Sequence, residues 1–459
     1  MKNLIAIVLA AGQGTRMHSN LPKVLHHVAG QPMIDHCLES LEALAPAKIY
    51  VVTGHMAATV EQHIEDRTAS MSGSASKKPA SIIQCVEQKE RLGTGHAVQQ
   101  VAPFLKDFTG NVLVTVGDAP LLRPETLNQL VKRRIAHGVG ATVLTTYLDD
   151  PHGYGRIVRN RDGTVRKIVE EKDTNVYEEE IKEINTGIYV FDCQRMLEAL
   201  EQVDNANSQN EYYLTDVVEI FNNMKVEVEP VVAPDNTETI GINSRVELAK
   251  AESYLRSRIA RSIMEQGVTI IDPNNTYIDK QVKIGGDCII HPFSILQGDV
   301  KVGPNSVIGP HAHIRDSVIG ANAHLRFCSV EEATLEDHVS VGPYASIRPN
   351  SLVKKDARIG TFVEVTRSVI GPNSDVLHAC YLGDATLGEN VSVGAGSITV
   401  NFDGKEKHPT TIGDNAFLGS NTVFVAPVTI EENTHCTHNA ILTGMVKNKE
   451  EQVPKKSKK

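Results

Sequence analysis

The sequence predicts two domains of different fold class, an α/β domain built on a parallel sheet and a left-handed parallel β-helix. Up to about residue 245, short β-branched runs alternate with helix-like patterns, which is typical of parallel strands covered by helices. Beyond residue 267, aliphatic residues recur every six positions, which is typical of coils with three short strands each. The 459 residues exceed the roughly 100–200 of a single domain, so the chain is long enough for both folds.

Four apolar, β-branched runs are the clearest strands of the α/β domain, namely Ile5–Ala10, Lys48–Thr53, Ser81–Gln84 and Asn111–Val116. Apolar residues at helix spacing predict a helix over Met33–Leu44, and a glycine-rich turn predicts the start of another over Thr94–Val101. Sheets of this kind bind ligands at the carboxyl ends of their strands. We therefore look for a ligand site in the segments that follow these strands.

The segment Glu247–Gln266, rich in Ala, Arg, Glu and Ser, predicts one long exposed helix that links the two domains. The predicted boundaries are 1–245, 246–266 and 267–459 for the first domain, the linker and the second domain. In the second domain, each recurring aliphatic residue points inward and a small residue relieves the next corner. The pattern comprises Ile284, Ile290, Leu296, Val302, Ile308 and Ile314, and it resumes at Val341-Gly342, Ile359-Gly360, Leu387-Gly388, Val393-Gly394, Ile412-Gly413 and Leu418-Gly419. The polar segment Asn401–Pro409 breaks the period and predicts a loop, which can carry function.

The composition excludes several classes of protein. A formal net charge of −10 without a basic stripe argues against a nucleic-acid binder. The chain has no apolar run near the ~18 residues of a membrane span. Seven cysteines without a CxxC spacing predict reduced thiols and a cytoplasmic location. The basic run Lys455–Lys459 predicts a solvated tail.

The segment after the first strand predicts a phosphate-binding loop. Leu9–Met17 contains Gly12, Gly14 and Arg16, and Pro22-Lys23 follows shortly afterwards. Small residues let backbone N–H groups approach a triphosphate, while Arg16 and Lys23 can offset its charge. The spacing is neither that of a Walker A loop nor that of a dinucleotide fingerprint.

Leu9–Met17 with Pro22-Lys23 resembles the signature of sugar-nucleotide pyrophosphorylases. The whole chain resembles the bacterial family of bifunctional N-acetylglucosamine-1-phosphate uridylyltransferases and glucosamine-1-phosphate N-acetyltransferases. The further segments that carry this resemblance are Gln88 with Leu92–Ala97, Gly117–Leu121, Gly153–Arg156, Ile168–Lys172, Glu183–Gly187 and Gly241–Asn243. The resemblance implies a nucleotidyltransferase domain of Rossmann-like fold, an acetyltransferase β-helix and a homotrimer. It also implies small-molecule substrates, namely UTP, sugar phosphates and acetyl-CoA.

The resemblance implies in-line attack by the sugar phosphate on the α-phosphorus of UTP, with Arg16 and Lys23 stabilising the charge. Mg²⁺, for which oxygen ligands are suited, would lie on Asp118 and Asn243. The family's uracil-binding segment matches Gln88, Gly93 and Thr94, and its sugar-binding positions match Gly155, Glu170 and Asn185. The full set implied for UDP-N-acetylglucosamine is Leu9, Ala10, Ala11, Gly12, Lys23, Gln88, Gly93, Thr94, Gly117, Asp118, Gly155, Glu170, Asn185 and Asn243.

For the β-helix, the resemblance implies that His378 is the general base that deprotonates the glucosamine amine, which suits an imidazole with an ordinary pKa near ~6.5. The positions implied for glucosamine 1-phosphate are Arg348, Tyr381, Thr366 and Ser392. Those implied for acetyl-CoA are Ala395, Asn401, Phe402, Lys407, Ser420 and His438.

The sequence departs from the family pattern in the second domain. Thr366 stands where the family has a lysine that pairs with the sugar phosphate, Ser392 replaces an asparagine and Phe402 a tyrosine. His438 interrupts a run of small residues, and the last segment, 445–459, lacks an arginine-bearing motif. Two alternatives therefore stay open: a uridylyltransferase whose β-helix is only an oligomerisation scaffold, and a non-enzymatic binding platform. The retention of Gly12, Lys23 and Asp118 argues against the platform.

Overall fold

The structure, a computed structural model, describes residues 3–72 and 82–447. It divides into two compact units, Met1–Leu255 and Arg256–Lys459. Ser81, at the start of one predicted strand, and the predicted tail Lys455–Lys459 lie outside the described residues.

The first unit is built on one sheet whose central strand order is β11-β7-β10-β6-β1-β4-β5, with β8 and β9 attached to β10. Two short strands, β2 and β3, pair separately. The strands are β1 (Leu4–Leu9), β2 (His27–Val28), β3 (Gln31–Pro32), β4 (Lys48–Thr53), β5 (Ile82–Glu87), β6 (Asn111–Val116), β7 (Ala141–Tyr147), β8 (Arg156–Arg159), β9 (Val165–Val169), β10 (Glu183–Asp192) and β11 (Val228–Val232). The four strands predicted from the sequence are therefore confirmed as β1, β4, β5 and β6.

The α-helices are α1 (Met33–Glu42), α2 (Ala57–Ser72), α3 (Thr94–Gln99), α4 (Pro124–His137), α5 (Val176–Glu179), α6 (Cys193–Leu200), α7 (Asp216–Asn223) and α8 (Arg245–Glu265). Short 3₁₀ turns cover Thr15–Met17, Lys23–Leu25, Ala102–Phe104, Glu171–Asp173, Asn236–Thr239 and Pro273–Asn275. Within residues 3–72 and 82–447, none of the helices has both the length and the apolar character that a membrane crossing requires.

The sequence predicted a parallel sheet, but the sheet contains both parallel and antiparallel pairs of strands. The pairs of β1 with β4 and β6, and of β4 with β5, are parallel. Strand β10 runs antiparallel to both β6 and β7. Its pairing with β7 is irregular between Asn185 and Tyr189, where Gly187 has a φ of +76°. Glycine adopts this left-handed conformation without steric cost, so it permits the local bulge.

Helices cover both faces of the sheet, which explains why its central strands β1, β4 and β6 are buried and apolar at most positions. Along β1, Ile5 and Ile7 belong to one core cluster, whereas Leu4, Ala6 and Val8 belong to the other. With both faces of β1 buried in this way, its loop begins from a fixed position at the carboxyl end of the sheet.

The predicted linker helix is present as α8, but it is not exposed along its length. Ala251, Ala260 and Ile263 are buried, and the last two belong to the core of the second unit. The few apolar positions are outnumbered by charged residues in this segment, and the sequence therefore predicted an exposed helix.

The second unit is a parallel β-helix formed by two sheets of very short strands. One sheet contains Thr269–Ile270, Ile289–Ile290, Val307–Ile308, His324–Leu325, Ser340–Val341, Arg358–Thr361, Asp375–His378, Ser392–Val393, Phe417–Leu418 and His435–Cys436. The other contains Tyr277–Ile278, Lys283–Ile284, Ile295–Gln297, Lys301–Val302, Ala312–Arg315, Val318–Ile319, Cys328–Glu331, Thr334–Leu335, Ala345–Ile347, Leu352–Val353, Glu364–Thr366, Val369–Ile370, Tyr381–Gly383, Ala385–Leu387, Ile398–Val400, Thr410–Ile412, Val423–Ile430 and Ile441–Val446. The fold class predicted from the six-residue period is confirmed.

The inward aliphatic residues form one continuous core along the β-helix. Of the six predicted first, five are at most 5% exposed, and Ile284 is partly buried against that core. The glycines that follow inward residues are required by close backbone contact between coils. A Cβ atom on Gly360 would lie 2.0 Å from the carbonyl oxygen of Leu377, a distance that no side chain tolerates. The predicted loop Asn401–Pro409 lies between the strands Ile398–Val400 and Thr410–Ile412.

Ile289 and Ile290 provide a matched test of this core because they are adjacent and alternate in side-chain direction. Ile290 is fully buried and Ile289 is 37% exposed. We expect Ile290→Ala to lower the free energy of unfolding by about 2–5 kcal/mol, and Ile289→Ala to lower it by less than about 1 kcal/mol. Urea unfolding of the full chain followed by circular dichroism measures both. Equal losses would contradict the assignment of Ile290 to the core and of Ile289 to the surface.

Candidate active sites

The first candidate site is a cavity of about 490 Å³ at the carboxyl ends of β1, β5 and β6. It brings together nine residues predicted from the sequence, namely Leu9, Ala10, Ala11, Gly12, Lys23, Gln88, Gly93, Thr94 and Asp118. The remaining lining residues are Gln13, Val24, Arg91, Ala97, Val116 and Glu211.

The loop after β1 is fixed by backbone hydrogen bonds and open toward the cavity. The Ala10 N–H donates to the Val52 oxygen at 2.9 Å. A Cβ atom on Gly12 would meet no other atom within 4 Å, so the space beside this backbone is free for a ligand. Gly14 has a φ of +63°, and a Cβ atom there would lie 2.7 Å from the Lys23 Cβ atom. Glycine at this position therefore allows Lys23 to approach the loop.

Lys23 joins the two residues predicted to hold a metal ion. Its Nζ atom donates to Asp118 Oδ2 and, at 3.1 Å, to Asn243 Oδ1. The Ile242 N–H donates to the Asp118 carbonyl at 3.0 Å, and the Asn243 N–H donates to Glu247 Oε2 at 2.6 Å. The side-chain oxygen atoms of Asp118 and Asn243, which are far apart in the chain, are thus held around the Lys23 ammonium group. This donor set fits Mg²⁺, which binds few protein carboxylates and takes its remaining ligands from water and phosphates.

Gln88 is buried, and its amide is oriented by the glycine turn that follows it. Its Nε2 atom donates to the Gly93 oxygen and to His96 Nδ1, both at 3.0 Å. The Oε1 atom is thereby turned away from these partners and can accept a hydrogen bond from a ligand in the cavity. Gly93 has a φ of +108°, and a Cβ atom there would lie 2.5 Å from the Tyr212 oxygen. Only glycine fits at this contact.

The three residues predicted to hold the sugar lie together beside the cavity rather than in its wall. The Asn185 N–H donates to the Gly155 oxygen at 2.8 Å, and a Cβ atom on Gly155 would lie 3.5 Å from Glu170 Oε2. Thr215 Oγ1 donates to Glu170 Oε1 at 3.1 Å, while burial raises the pKa of Glu170. The β10 bulge links this cluster to the cavity, because a Cβ atom on Gly187 would lie 3.3 Å from the side chain of Val116.

Two predicted residues are placed less favourably for contact with a ligand. Arg16 is exposed on its 3₁₀ turn and is not part of the cavity wall. Gly117 is buried behind the wall, where its N–H donates to the Leu9 oxygen at 2.9 Å. Arg91 and Glu211 line the cavity but were not predicted. Arg91 could have been found from its position between Gln88 and Gly93, whereas nothing in the sequence around Glu211 indicated a site.

In the second unit, one corner of the β-helix carries four of the predicted residues in successive coils. The Gly396 N–H donates to the His378 oxygen, the Asn421 N–H to the Ala395 oxygen and the Asn439 N–H to the Ser420 oxygen, at 3.2, 2.8 and 2.8 Å. The Ser420 N–H also donates to His438 Nδ1 at 3.0 Å. The imidazole of His378 is exposed and accepts or donates no hydrogen bond among the described residues.

A second group of predicted residues surrounds Asp384. Arg367 binds both oxygens of Asp384, at 2.7 and 2.9 Å, and Asn401 donates to Oδ2 of the same carboxylate. These bonds, with Lys407 nearby, lower the pKa of Asp384. The Tyr381 hydroxyl belongs to this group, since it and the Asn401 amide both lie within 3 Å of where a Cβ atom on Gly383 would be.

The remaining predicted residues of the second unit have different surroundings. Thr366 is buried, and its hydroxyl accepts a bond from Arg367 at 3.2 Å. Arg348 is exposed and pairs with Glu364 at 2.8 Å. Ser392 lies on the other sheet, opposite Asp375 and Phe417, and Phe402 pairs with Lys407 in the exposed loop. The structure thus groups Tyr381, Thr366 and Asn401 and leaves Ser392 apart from them.

Comparison with known proteins gives consistent matches for both units. The family described as nucleotidyl transferase matches residues 5–235. The bacterial transferase hexapeptide family, with six repeats, matches residues 281–316. Each match falls within one of the two units of the structure.

Relatives match along nearly the whole chain. Bifunctional protein GlmU of Streptococcus suis is 46% identical over 443 residues, which cover 96% of this chain and 93% of that protein. Bifunctional protein GlmU of Geobacillus sp. is 44% identical over 438 residues, with coverages of 95% and 92%. That of Caldanaerobacter subterraneus subsp. tengcongensis is 44% identical over 443 residues, with coverages of 96% and 93%.

A group of acidic residues that includes Glu170, one of those predicted to hold the sugar, makes the stability of the fold depend on pH. Asp216 begins α7 near Asp204, Glu170, Asp173 and Glu219, and burial, with these charges, raises its pKa from 3.8 to about 6. The unfolded chain ionises Asp216 more readily than the folded chain, so this group destabilises the fold as the pH rises through that interval.

We therefore expect Asp216→Asn to raise the thermal unfolding midpoint above pH 6 and to leave it unchanged below about pH 4. Calorimetry across this pH range measures the difference between the variant and the unmodified chain. Glu227→Gln, at an exposed position, is the control and should show no such dependence. A stabilisation by Asp216→Asn that is equal at all pH values would contradict this assignment.

Proposed function

The chain belongs to the family of the bifunctional protein GlmU, and we propose that its two units catalyse successive steps in the synthesis of UDP-N-acetylglucosamine. The second unit transfers the acetyl group of acetyl-CoA to glucosamine 1-phosphate. The first unit transfers the uridylyl group of UTP to the resulting N-acetylglucosamine 1-phosphate and releases pyrophosphate. The alternative of a uridylyltransferase with an inactive scaffold is not favoured, because the relatives extend over both units.

The observation that carries the proposal for the first unit is the convergence of Lys23, Asp118 and Asn243 beside an open glycine loop. A phosphate oxygen of the sugar substrate attacks the α-phosphorus, and the bond to the β-phosphate oxygen breaks. The substrate phosphate is already a nucleophile, so the protein needs only to align the reactants and to stabilise the developing charge. A bound Mg²⁺ would supply Lewis-acid stabilisation of the phosphate oxygens from Asp118 and Asn243.

Lys23 changes partners in this scheme. The Lys23 ammonium group binds the same two oxygen atoms that a divalent cation would bind. The ammonium group and the divalent cation cannot occupy the same position. If Asp118 and Asn243 held a metal ion, Lys23 would be free to neutralise a phosphate oxygen. Gly14 keeps the side chain close enough to the loop for this movement.

The surroundings of the cavity support its specificity for a uridine nucleotide and an N-acetylated sugar. Gln88 Oε1 is an acceptor suited to the N3–H of uracil, because the Nε2 atom is committed to Gly93 and His96. Glu170 and Asn185 place a carboxylate and an amide beside the cavity, where sugar hydroxyl and acetamido groups require hydrogen-bond partners.

In the second unit, His378 is proposed to accept the proton of the glucosamine amine. The amine nitrogen forms a bond to the acetyl carbon as the thioester bond breaks, and the coenzyme A sulfur leaves as a thiolate that is then protonated. The imidazole of His378 is exposed and has no hydrogen-bond partner within residues 3–72 and 82–447, so it is available for this transfer. Ala395, Ser420 and His438, one coil apart below it, support an elongated site for the coenzyme along the same corner.

Thr366 leaves the sugar phosphate of the second unit without the lysine of the family pattern. We assign the nearby positive charge to Arg348, because Arg367 is committed to Asp384 through two hydrogen bonds. Arg348 and its ion pair with Glu364 are both exposed. Exposed ion pairs contribute little free energy, so Arg348 can exchange Glu364 for a phosphate easily.

We also propose a homotrimer that works in the cytoplasm. The free cysteines support a reducing compartment. Five rings on successive corners of the β-helix, Phe293, His311, Phe327, Tyr344 and Phe362, have neighbouring centroids 4.9 to 5.5 Å apart. Three of the four neighbouring pairs are stacked, and the pair of Phe327 with Tyr344 is tilted. Phe293, Tyr344 and Phe362 are at least half exposed, so the rings form an apolar stripe that a second copy can cover.

Two variants test the assignment of the two reactions. We expect Asp118→Asn to lower the formation of UDP-N-acetylglucosamine from UTP by about hundredfold or more and to leave acetylation unchanged. His378→Ala should lower acetylation of glucosamine 1-phosphate by about 10²–10⁴-fold without affecting uridylyl transfer. Both reactions are measured on the full chain with Mg²⁺. His324→Ala is the control, since His324 is exposed on the same sheet as His378. Loss of both activities in either single variant would contradict separate sites.

Light scattering tests the assembly. One chain has a mass of 50.0 kDa, and we expect the particle to have three times that mass. Phe362→Asp should lower the particle mass, because a carboxylate in an apolar contact is strongly disfavoured. A monomer in the unmodified protein would overturn the trimer but not the two reactions.

A further inference from the structure

We propose that Arg91 is a specificity-determining residue of the first unit, which binds the β- and γ-phosphates of the nucleoside triphosphate and the pyrophosphate formed from them. This inference rests on the uridylyl transfer proposed above. It concerns a cation that lies in the cavity wall between the uracil-binding residues and the glycine loop.

The first argument is the charge of the cavity wall. Its charged residues are Lys23, Arg91, Asp118 and Glu211, so the positive and negative charges cancel. Lys23 is already paired with Asp118. Arg91 has no carboxylate within ion-pair distance in the part of the chain that the structure describes. The positive charge of Arg91 is therefore not compensated by the cavity wall. A triphosphate carries several negative charges and can compensate it.

The second argument is the position of the guanidinium group. Arg91 Nη1 donates to Gln13 Oε1 at 3.2 Å, and Gln13 directly follows Gly12, whose side faces open space. The Gln13 and Arg91 side chains are both exposed, so they bridge the glycine loop and the segment after Gln88 at the mouth of the cavity. One of the five N–H donors of Arg91 is used in this bridge, and the others remain for phosphate oxygens.

The third argument is the order of groups along the cavity. Asp118 and Lys23 are largely buried, with exposed side-chain fractions of 17% and 12%, and they mark the position of the reacting α-phosphate. Gly12 and Gln13 lead from there to the exposed mouth. A triphosphate whose α-phosphate lies near Lys23 and whose chain follows the glycine loop places its last two phosphates at Arg91. Gln13 orients the guanidinium group for them.

Calorimetric titration of the full chain with UTP, UDP and UMP in the presence of Mg²⁺ tests this inference, since no reaction occurs without the sugar phosphate. We expect Arg91→Gln to weaken UTP binding by about tenfold or more, UDP binding by less, and UMP binding not at all. Inorganic pyrophosphate with Mg²⁺ should show the same loss as UTP. The difference in UTP affinity between the unmodified chain and Arg91→Gln should be smaller at high ionic strength, because Arg91 is exposed and salt screens its charge.

Two further variants act as controls. Lys89→Gln removes an exposed cation that lies two positions before Arg91 and is not in the cavity wall. We expect this variant to bind UTP as tightly as the unmodified chain does. Gln13→Ala frees the guanidinium group without removing its charge, and it should give an effect between those of the unmodified chain and Arg91→Gln. Arg91 is exposed, so its replacement leaves the core intact.

Equal weakening of UMP and UTP by Arg91→Gln would overturn the inference and place Arg91 at the uridine end. Unchanged UTP binding in Arg91→Gln would overturn it as well and leave the bridge to Gln13 a structural contact. Failure of the unmodified chain to bind UTP or to form UDP-N-acetylglucosamine would instead overturn the proposed function. The two failures are therefore distinguishable.

Discussion

The pairing of Lys23 with Asp118 and Asn243 is the interaction on which the first site depends. It joins three segments that are far apart in the chain, namely the loop after β1, the end of β6 and the turn before α8. The parallel pairing of β1 with β6 brings the first two segments to one edge of the sheet. The backbone bond from Ile242 to Asp118 adds the third. The same two oxygen atoms thus join three distant segments at the position that we propose for Mg²⁺.

The second unit depends on a different constraint, the close approach of successive backbones. Glycine is required where the backbones of successive coils touch, as at Gly360 against the Leu377 carbonyl. Between these contacts, residues such as Asn390 and Asn415 occupy left-handed corners and bond to each other across coils at 3.1 Å. Asparagine tolerates this conformation better than most residues. The repeat therefore fixes the spacing of corner residues, including that of His378 to the residues of the next coils.

Most of the fold followed from the sequence, but particular elements did not. The direction of β10 could not be foreseen, because antiparallel pairing depends on the path of the chain through β8 and β9 rather than on the residues of β10 itself. The buried side of α8 was missed because Ala251 and Ala260 carry little hydrophobic signal among charged neighbours. In the first site, nine of the predicted residues came together in one cavity, whereas Glu211 enters from a loop with no recognisable motif.

The sequence by itself determined the periods of the two halves, the glycine loop and the order of the motifs, because these properties depend on neighbouring residues and on local backbone preferences. Tertiary structure decided which charges meet. Arg16, predicted at the phosphates, lies outside the cavity wall, and Arg91 lies within it. Arg367 adjoins the vacant lysine position at Thr366, yet it is bound to Asp384 in the next coil. Electrostatic partners are set by distances across the fold, and those distances arise only when strands and coils are packed together.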